Sequence, residues 1–461
     1  MPEPPCPGTR AASAGGGTRL TRPLTPGDAE AWHVLQQASY GDSGQRPTFW
    51  DFENVAEEIR HVRGVFDKGE LIAGLQIFPM EVYFGDRRLP SAGLAFVATA
   101  PHRRRQGHAF AMLRDILIEL RDTGYLLSSL YPFAFPFYRR LGWEQAADMV
   151  AYEAPLAELP LPRPDEATPE RSAGGQIRLV AHCDPGGKEE VEDHAVPLLQ
   201  EVYRRYARLH NGMMERDEAW WRRHLLRATA VARFTALWED SAGRPGGYVI
   251  YGLPSFAPGP QDIRVRELVA VAAGAYEGIL AFLRNQEAVF RNLLVNLPPS
   301  DPFPFFLPNP RVKRELRTHH MLRLVSLAPA LEAAAEPSPA ARAEMILSVE
   351  DPICSWNDGD WRLTVEDGRA KVISLGKRTA PPRAGIESVR GQEADRGQEA
   401  DRGQRPPRIA MDVRALVQII SGYARAATLE RAGRLVASEP AAVTFLDAVY
   451  GRRPSHLIDY F

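Results

Sequence analysis

The sequence predicts a mixed α/β (α+β) fold in three domains, and three patterns support this prediction. An apolar run at residues 94–99 leads through a basic turn into a segment whose apolar residues have helical spacing. A similar order of strands and helices recurs after a linker rich in Pro and Glu at residues 151–175. A third set of strands begins near His319. Because 461 residues exceed one ordinary core, domains are expected at the following positions: 19–153, 154–318 and 319–461.

The composition is that of a soluble globular protein, with a net charge of −2 that argues against general nucleic-acid binding. Cys6, Cys183 and Cys354 lie far apart and form no CxxC pair, which predicts a reducing compartment and no zinc site. No apolar run approaches the roughly 20 residues of a membrane span. Residues 1–18 have no apolar signal-peptide core and are predicted to be a flexible tail, so we expect a cytoplasmic protein.

The first domain is predicted to open with a strand near Leu20 and a helix capped near Thr25 or Asp28. Apolar runs broken by DKG and GD turns between residues 61 and 93 predict a β-meander. After the central strand, turn and helix, a further strand is expected at residues 125–131, before a short last helix. This order of elements describes a mixed α/β domain of ordinary size.

The central strand, turn and helix of this domain predict an anion-binding site. The strand at residues 94–99 runs into the basic turn at residues 101–106, and Gly107 opens the helix. Backbone N–H groups and the positive end of the helix dipole both point at a ligand in this arrangement. Glycine at position 107 allows the backbone to approach that ligand closely.

The second domain repeats the order of the first without its charge. The segment AVAAGAYEG at residues 270–278 stands where RRRQGHA would be expected, and it contains no arginine. We therefore predict a structural or substrate-shaping domain that has lost the cofactor site. Its strands are predicted at 177–181, 234–240, 247–253, 263–271 and 293–297, and its helices at 190–209, 217–227 and 277–287.

The third domain is predicted to alternate strands and helices up to an aromatic C-terminus. Strands are predicted in the segments MILSVEDP and DWRLTVEDGRAKVIS, with an NDGD turn between them. The direct repeat of GQEADR at residues 391–404 is predicted to be a solvated insertion without a catalytic role. A strand and a helix come next, and the chain ends at Phe461, which is expected to be docked.

Arg104, Gly107 and Ala109 fit the pattern R-x-x-G-x-A, directly after a strand that ends in FVATAP. This resembles the acetyl-CoA signature of the GNAT superfamily of N-acetyltransferases. In that family the loop and helix N-terminus hold the CoA pyrophosphate, and the strand end hydrogen-bonds the pantetheine arm. The resemblance therefore implies that the expected anion is the pyrophosphate of acetyl-CoA.

A wider resemblance extends over nearly the whole chain from about Leu20. AGLAFVATAPHRRRQGHAFAMLRDI and YLLSSLYPFAFPFYRRLGW resemble the enhanced intracellular survival protein family of amine acetyltransferases. EDPICSWNDGDWRLTVEDGRAKV and the final LERAGRL…FLDAVYG…P…DYF are typical of the sterol carrier protein-like domain of that family. The resemblance implies two GNAT-like domains, then a sterol carrier protein-like α/β domain, and a homo-oligomer, by analogy a hexamer. The sequence departs from the family at Gln106, where a third arginine would precede the glycine.

The resemblance also implies residue roles. Tyr138 in FYRRLG matches the general acid of the family, and its general base is the terminal carboxylate, here that of Phe461. The substrate-pocket positions would be Asp42, Trp50 and Phe96. Tyr460 stands where the family has an acidic residue. The implied CoA contacts are Val97, Ala98, Thr99, Arg105, Gln106, Gly107, His108, Ala109, Phe110, Phe133 and Ala134.

These residue types suit acetyl transfer to a primary amine. The amine must lose a proton to attack the thioester, and the departing thiolate must gain one. A tyrosine with a pKa of about 10 can donate to a thiolate whose thiol has a pKa of about 8.5. A terminal carboxylate with a pKa of about 3.5 is a weak base, which would act through a water and attract the cationic amine. No cysteine lies near the motif to carry an acyl group, so direct transfer in a ternary complex is expected.

Other interpretations remain open at this point. Tyr138 is also compatible with a core position at a helix–sheet junction, Phe461 with filling a groove, and Trp50 and Phe96 with plain core packing. The protein as a whole is also compatible with a protein lysine Nε-acetyltransferase, or with a lipid or acyl-chain carrier that works through its last domain. The preferred expectation is an acetyl-CoA-dependent enzyme that needs no metal and acetylates a small-molecule amine such as an aminoglycoside or a polyamine.

Overall fold

The structure is a computed structural model, and its chain divides into two compact units. The first comprises residues 1–146, 320–455 and 459–461, and the second residues 147–319 and 456–458. No helix in the described ranges is long and apolar enough to cross a bilayer. The residues that the structure describes are 10–11, 20–41, 59–160, 175–185, 189–227, 231–254, 259, 261–309, 312–336, 342–378 and 406–460.

The N-terminal part of the first unit is a meander followed by the predicted strand, turn and helix. Its strands are β1 (Arg10–Ala11), β2 (Leu20–Pro23), β3 (Val62–Asp67), β4 (Glu70–Phe84), β5 (Arg87–Thr99), β6 (Leu127–Leu130) and β7 (Glu144–Gln145). Its helices are α1 (Ala29–Tyr40), α2 (His108–Asp122) and α3 (Phe135–Arg139).

The second unit has its own mixed sheet, with strand order β10-β9-β11-β12-β13-β14-β8-β15. Its strands are β8 (Asp148–Pro155), β9 (Gln176–Cys183), β10 (Glu189–Val191), β11 (Ala232–Glu239), β12 (Pro245–Leu253), β13 (Gln261–Ala270), β14 (Phe290–Leu297) and β15 (Lys313–Thr318). Its main helices are α4 (Ala195–Ala207) and α5 (Ala273–Arg284), and a π-helix spans Trp221–Leu226.

The C-terminal part of the chain returns to the first unit. Its strands are β16 (Met321–Leu324), β17 (Ala343–Glu350), β18 (Gly359–Glu366), β19 (Arg369–Gly376), β20 (Arg408–Asp412) and β21 (Leu435–Ala437). Its helices are α6 (Leu327–Ala334), α7 (Val413–Ile420), α8 (Ala426–Arg431) and α9 (Pro440–Tyr450). Strands β17–β21 form a five-stranded sheet of order β19-β18-β17-β20-β21, so the predicted mixed α/β class is confirmed.

Sheet membership differs from the predicted domain boundaries at 153 and 318. β16 pairs with β6 and β7 and completes the first sheet, whose order is β1-β2-β3-β4-β5-β6-β16-β7. β8 pairs with β14 and β15 and therefore belongs to the second sheet. The predicted tail also departs from expectation, because residues 10–11 pair with residues 20–21. Apolar alternation indicates which face of a strand is buried, but it carries no information about the partner strand.

The apolar spacing that predicted α2 matches its buried face. Met112, Leu113, Ile116, Leu117 and Leu120 are all buried in the core of the first sheet. This packing anchors the body of the helix and leaves its N-terminus, at Gly107, facing the end of β5.

A buried ion pair ties β16 to the segment that follows β17. Arg323 and Asp351 are each fully buried, with Nη2 of the arginine 2.7 Å from a carboxylate oxygen. Arg323 also donates from Nε to the carbonyl oxygen of Leu141 at 3.0 Å. The five-stranded sheet and the first sheet thus share one set of buried contacts within the first unit.

Candidate active site

A β-bulge in β5 opens the first sheet at its centre. β5 and β6 pair in parallel only from Ser91 to Leu94, and β5 then continues to Thr99 paired with β4 but not with β6. The β4–β5 register shifts at the same place, and Phe96 has a φ of +51°. A bulge bends its strand and ends local pairing. Beyond Leu94, backbone groups on the edge of β5 that faced β6 are therefore open to a ligand; we call this opening the notch.

The side chain of Tyr40 supports the wall of the notch. Its hydroxyl donates to the carbonyl oxygen of Val97 at 3.0 Å, and its ring meets that of Phe96 edge-on, with centroids 6.1 Å apart. Ala98 is buried and pairs with Gly74 of β4. Tyr40 was not predicted as a site residue, although this tyrosine ends α1 just before the predicted position Asp42.

The turn after β5 shapes a cradle for an anion. Arg105 and Gly107 have φ values of +61° and +81°, both in the left-handed region. Gly107 caps α2, and its carbonyl accepts the N–H of Ala111 at 3.0 Å as the first intrahelical bond. The N–H groups of Ala109 and Phe110 consequently have no partner within the helix. Alternating backbone handedness next to a helix N-terminus turns successive N–H groups toward one point, which suits phosphate oxygens.

The three arginines of the turn make different contacts. Arg104 donates from Nε to the carbonyl oxygen of Thr99 at 3.3 Å and from Nη2 to that of Ala38 at 3.2 Å, so it holds the turn in place. Arg103 forms ion pairs with Asp67 and Glu70. Arg105 is exposed and has no ion pair in the part of the chain that the structure describes. Of the three, Arg105 is therefore the one placed to meet an anion.

Gln106 and His108 complete the turn. The Gln106 amide donates to the carbonyl oxygen of His102 at 3.3 Å, and its oxygen lies 3.3 Å from Nε2 of His108. The guanidinium of Arg140 lies 5.0 Å from the ring centroid of Phe110. Arg140 was not predicted as a site residue. The motif FYRRLG contains this arginine two residues after Tyr138, so the motif could have identified Arg140 as a candidate.

Tyr138 lies in an aromatic cluster after β6. Ala134 caps α3, and the exposed ring of Phe133 lies 5.2 Å from that of Tyr138. Tyr138 itself is only 2% exposed. Desolvation raises the pKa of Tyr138 far above its ordinary value, and the neighbouring phenol of Tyr40 raises it further. Tyr138 therefore remains a neutral hydrogen-bond donor near the notch at physiological pH.

The chain returns to this region just before its C-terminus. Tyr131, the first residue after β6, donates its hydroxyl to the carbonyl oxygen of Asp459. The rings of Tyr131 and Tyr460 are stacked, with centroids 5.0 Å apart. Three predicted site residues lie outside the described residues: Asp42, Trp50 and Phe461.

No group of three or more metal-ligating side chains lies close together in the described ranges. The two cysteines described there are both buried, one in each unit. Burial raises the pKa of the Cys354 thiol to about 12. This thiol therefore has little thiolate character.

Three family models match the chain. Residues 21–146 and 212–324 each match an acetyltransferase (GNAT) domain, and residues 327–458 match a sterol carrier protein domain. The N-acetyltransferase Eis of Mycobacterium tuberculosis is 26% identical over 443 residues, which cover 92% of this chain and 95% of that protein.

Two solved structures share the fold of the whole chain. A GCN5-related N-acetyltransferase from Anabaena variabilis has a TM-score of 0.76 at 22% identity, with 96% of this chain and 100% of that chain covered. Eis1 from Mycobacterium abscessus has a TM-score of 0.71 at 22% identity, with the same coverage. The chain is therefore a GNAT-type acyltransferase that combines two GNAT domains with a C-terminal sterol carrier protein domain, and it is similar to Eis along nearly its whole length.

Proposed function

We propose that this acyltransferase moves an acetyl group from acetyl-CoA to a primary amine of a small molecule. The observation that carries the proposal is the notch, which continues directly into the turn of Arg105 and Gly107 and the N-terminus of α2. An extended pantetheine arm has amide groups that can pair with a strand edge. A pyrophosphate has the oxygens that the turn and the helix N-terminus can bind. The two halves of CoA thus match two adjoining features of one strand–turn–helix segment.

Each predicted cofactor contact has a role in this proposal. Val97 and Thr99 present backbone groups to the pantetheine arm, and Ala98, which pairs with Gly74 of β4, would lie between them beside the arm. Arg105 neutralises phosphate charge, and the aromatic ring of Phe133 covers the arm from the side of α3. The turn residues that would hold the phosphates are Gln106, Gly107, His108, Ala109 and Phe110, and Ala134 would lie beside the arm with Phe133.

Tyr138 would act as the general acid. A thioester that loses its acyl group leaves a thiolate, which needs a proton. The neutral phenol of Tyr138 can supply this proton, and the raised pKa means that the proton is present when the thiolate forms. The same raised pKa makes Tyr138 a weak acid, so in this proposal its hydrogen bond to the developing thiolate supplies much of the stabilisation before the proton moves.

The acceptor amine would be bound by Phe96 together with Asp42 and Trp50, and the carboxylate of Phe461 would attract it and accept its proton through a water. The buried, poorly ionised thiol of Cys354 supports direct attack in a ternary complex over an acyl-cysteine intermediate. In this proposal the second domain binds no cofactor and the last domain delivers the terminal carboxylate. We further propose a cytoplasmic homohexamer whose acceptors are aminoglycosides or polyamines, with neither nucleic acid nor metal required.

Thiol release from acetyl-CoA tests this function. Purified full-length protein is incubated with an aminoglycoside, a polyamine or a lysine peptide, and free CoA is measured. We expect turnover with at least one free amine and little with the peptide. Turnover confined to the peptide would favour a protein lysine acetyltransferase. Absence of thiol release with every acceptor, together with binding of a fluorescent fatty acid, would favour an acyl-chain carrier.

A further inference from the structure

Tyr131 occupies a distinctive position in the first sheet. It directly follows Leu130, which is the last residue of β6 to pair with both Leu94 of β5 and Met321 of β16. Tyr131 therefore stands where the paired part of the sheet ends and the notch begins.

Two independent contacts join Tyr131 to the end of the chain. Its hydroxyl donates to the backbone carbonyl of Asp459, and its ring stacks on that of Tyr460 at an interplanar angle of 21°. Asp459 is 1% exposed, so the chain is buried at the point where Tyr131 binds it. The hydrogen bond fixes the backbone, and the stacking fixes the direction of the next side chain. A tail attached at two points in succession has little freedom to leave this position.

The contacts at Asp459 and Tyr460 hold the last described residues of the chain beside Tyr131, at the mouth of the notch. The hydroxyl of Tyr131 is directed to this tail, because it donates to the backbone carbonyl of Asp459.

We propose that Tyr131 is a positioning residue that holds the last residues of the chain at the open end of the notch, so that the terminal carboxylate meets the acceptor amine. The inference rests on the proposed function, in which that carboxylate attracts and deprotonates the amine. The hydroxyl holds the backbone of Asp459 and the ring holds Tyr460. Loss of either contact lets the tail move away while the acetyl-CoA side of the site stays intact.

Digestion of the full-length protein by a carboxypeptidase that removes C-terminal aromatic residues tests the attachment without any activity assay. Release of phenylalanine is followed by mass spectrometry. We expect it to accelerate about fivefold in Tyr131→Phe, which loses one neutral hydrogen bond, and about thirtyfold in Tyr131→Ala, which also loses the ring contact. Tyr125→Phe removes a tyrosine hydroxyl from the segment before β6 and should digest like the wild type. Equal release from wild type and Tyr131→Ala would overturn the attachment.

A double-mutant cycle tests the positioning role. One glycine added after Phe461 displaces the carboxylate, and Tyr131→Phe is made with and without this extension. We expect Tyr131→Phe to lower kcat about fivefold with the native tail, to leave the KM for acetyl-CoA unchanged, and to have no further effect with the extended tail. A fivefold loss in both backgrounds would overturn the role, because Tyr131 would then act independently of the carboxylate.

The outcomes separate this inference from the proposed function. If the extension alone leaves kcat unchanged, the carboxylate has no catalytic role and positioning by Tyr131 is refuted, while acetyl transfer itself still stands. If the wild type releases no thiol with any amine, acetyl transfer fails, and the digestion experiment still decides whether Tyr131 holds the tail.

Discussion

The two GNAT-type sheets share a bulged central strand and differ in the segments that come after that strand. In the second sheet, β13 and β14 pair in parallel from Gln261 to Val265, and β13 then continues to Ala270 paired with β12 but not with β14. Its register with β12 shifts at this point, which leaves Arg266 as the extra residue. Both sheets therefore have two parallel strands that part at a bulge. The opening of the sheet is a property of the fold and does not by itself make a cofactor site.

The connection to the next helix is the first difference. In the first unit, residues 100–107 connect β5 to α2 and include two left-handed residues. In the second unit only residues 271–272 connect β13 to α5, and the cap, Ala272, has an ordinary φ of −116°. A connection this short has no room for a turn that converges backbone N–H groups on a phosphate. The cradle depends on the length and handedness of the turn, which vary while the sheet is retained.

The segment after the last parallel strand is the second difference. Phe135, Pro136, Phe137 and Tyr138 come after β6, and the corresponding stretch after β14 is Phe-Pro-Phe-Phe at residues 303–306. The residue at the position of Tyr138 therefore has no hydroxyl, and its ring stacks on Tyr276, with centroids 4.7 Å apart. A site without an acid cannot protonate a thiolate.

A buried ion pair beside the second opening is the third difference. Glu267 binds Arg216 through two hydrogen bonds of 2.8 and 2.9 Å, and Tyr248 donates its hydroxyl to the same carboxylate. Burial opposes ionisation of Glu267, but the attraction and hydrogen bonds of Arg216 outweigh it and lower the pKa. The charges of Glu267 and Arg216 neutralise each other, so we assign this buried ion pair a structural role.

Among the variants that test the difference between the two units, Glu267→Gln should have the largest effect, a loss of unfolding free energy. The change leaves the guanidinium of Arg216 buried without its counter-charge, which costs about 3–5 kcal/mol of unfolding free energy. Urea denaturation measures this loss. The stabilisation of the first unit by added acetyl-CoA should remain as in the wild type. A loss below about 1 kcal/mol would mean that the pair contributes no more than an exposed one.

Tyr138→Phe and Phe306→Tyr exchange the hydroxyl between the two units. The first change should lower kcat about a hundredfold, the lower end of what a positioned acid contributes, with acetyl-CoA binding nearly unchanged. The second change should neither add activity nor rescue Tyr138→Phe, because the second unit lacks the turn. Steady-state thiol release and acetyl-CoA titration check both. Unchanged turnover in Tyr138→Phe would remove this residue from the mechanism.

The raised pKa of Tyr138 predicts how the effect of Tyr138→Phe depends on pH. A phenol gives up its proton only above its pKa, so Tyr138 stays protonated from about pH 6 to about pH 9. The loss of kcat should therefore be the same across that range. The same shift contributes stability below the ordinary tyrosine pKa of about 10, and this stability is lost as the pH rises toward the folded-state value.

Gly107→Ala and Gly124→Ala compare the two ends of α2. Both glycines have φ values above +80° and open space where a Cβ would lie, so each change adds the same left-handed strain of about 1–2 kcal/mol. Only Gly107 shapes the cradle. We expect the KM for acetyl-CoA to rise about tenfold in Gly107→Ala and to stay unchanged in Gly124→Ala. Similar KM values in the two variants would refute the role of the turn.

The local features of this protein follow from its amino-acid sequence alone. The 3.6-residue spacing of α2, the glycine at its start and the basic turn before it were all predicted, because periodicity and backbone handedness depend on neighbouring residues. The missing arginines of the second unit were also visible in the sequence alone.

Contacts between residues distant in the sequence could be read only from the folded chain. It assigned Arg104 to the end of β5 and left Arg105 exposed, and it brought β16 into the first sheet. It also joined Tyr131 to Asp459, which lies 328 residues later in the chain. Such pairings depend on sheet register and on the burial of distant segments, which no local pattern encodes. For this reason the turn before α2 could be predicted from the sequence, while the residues that support the notch and contact the tail could not.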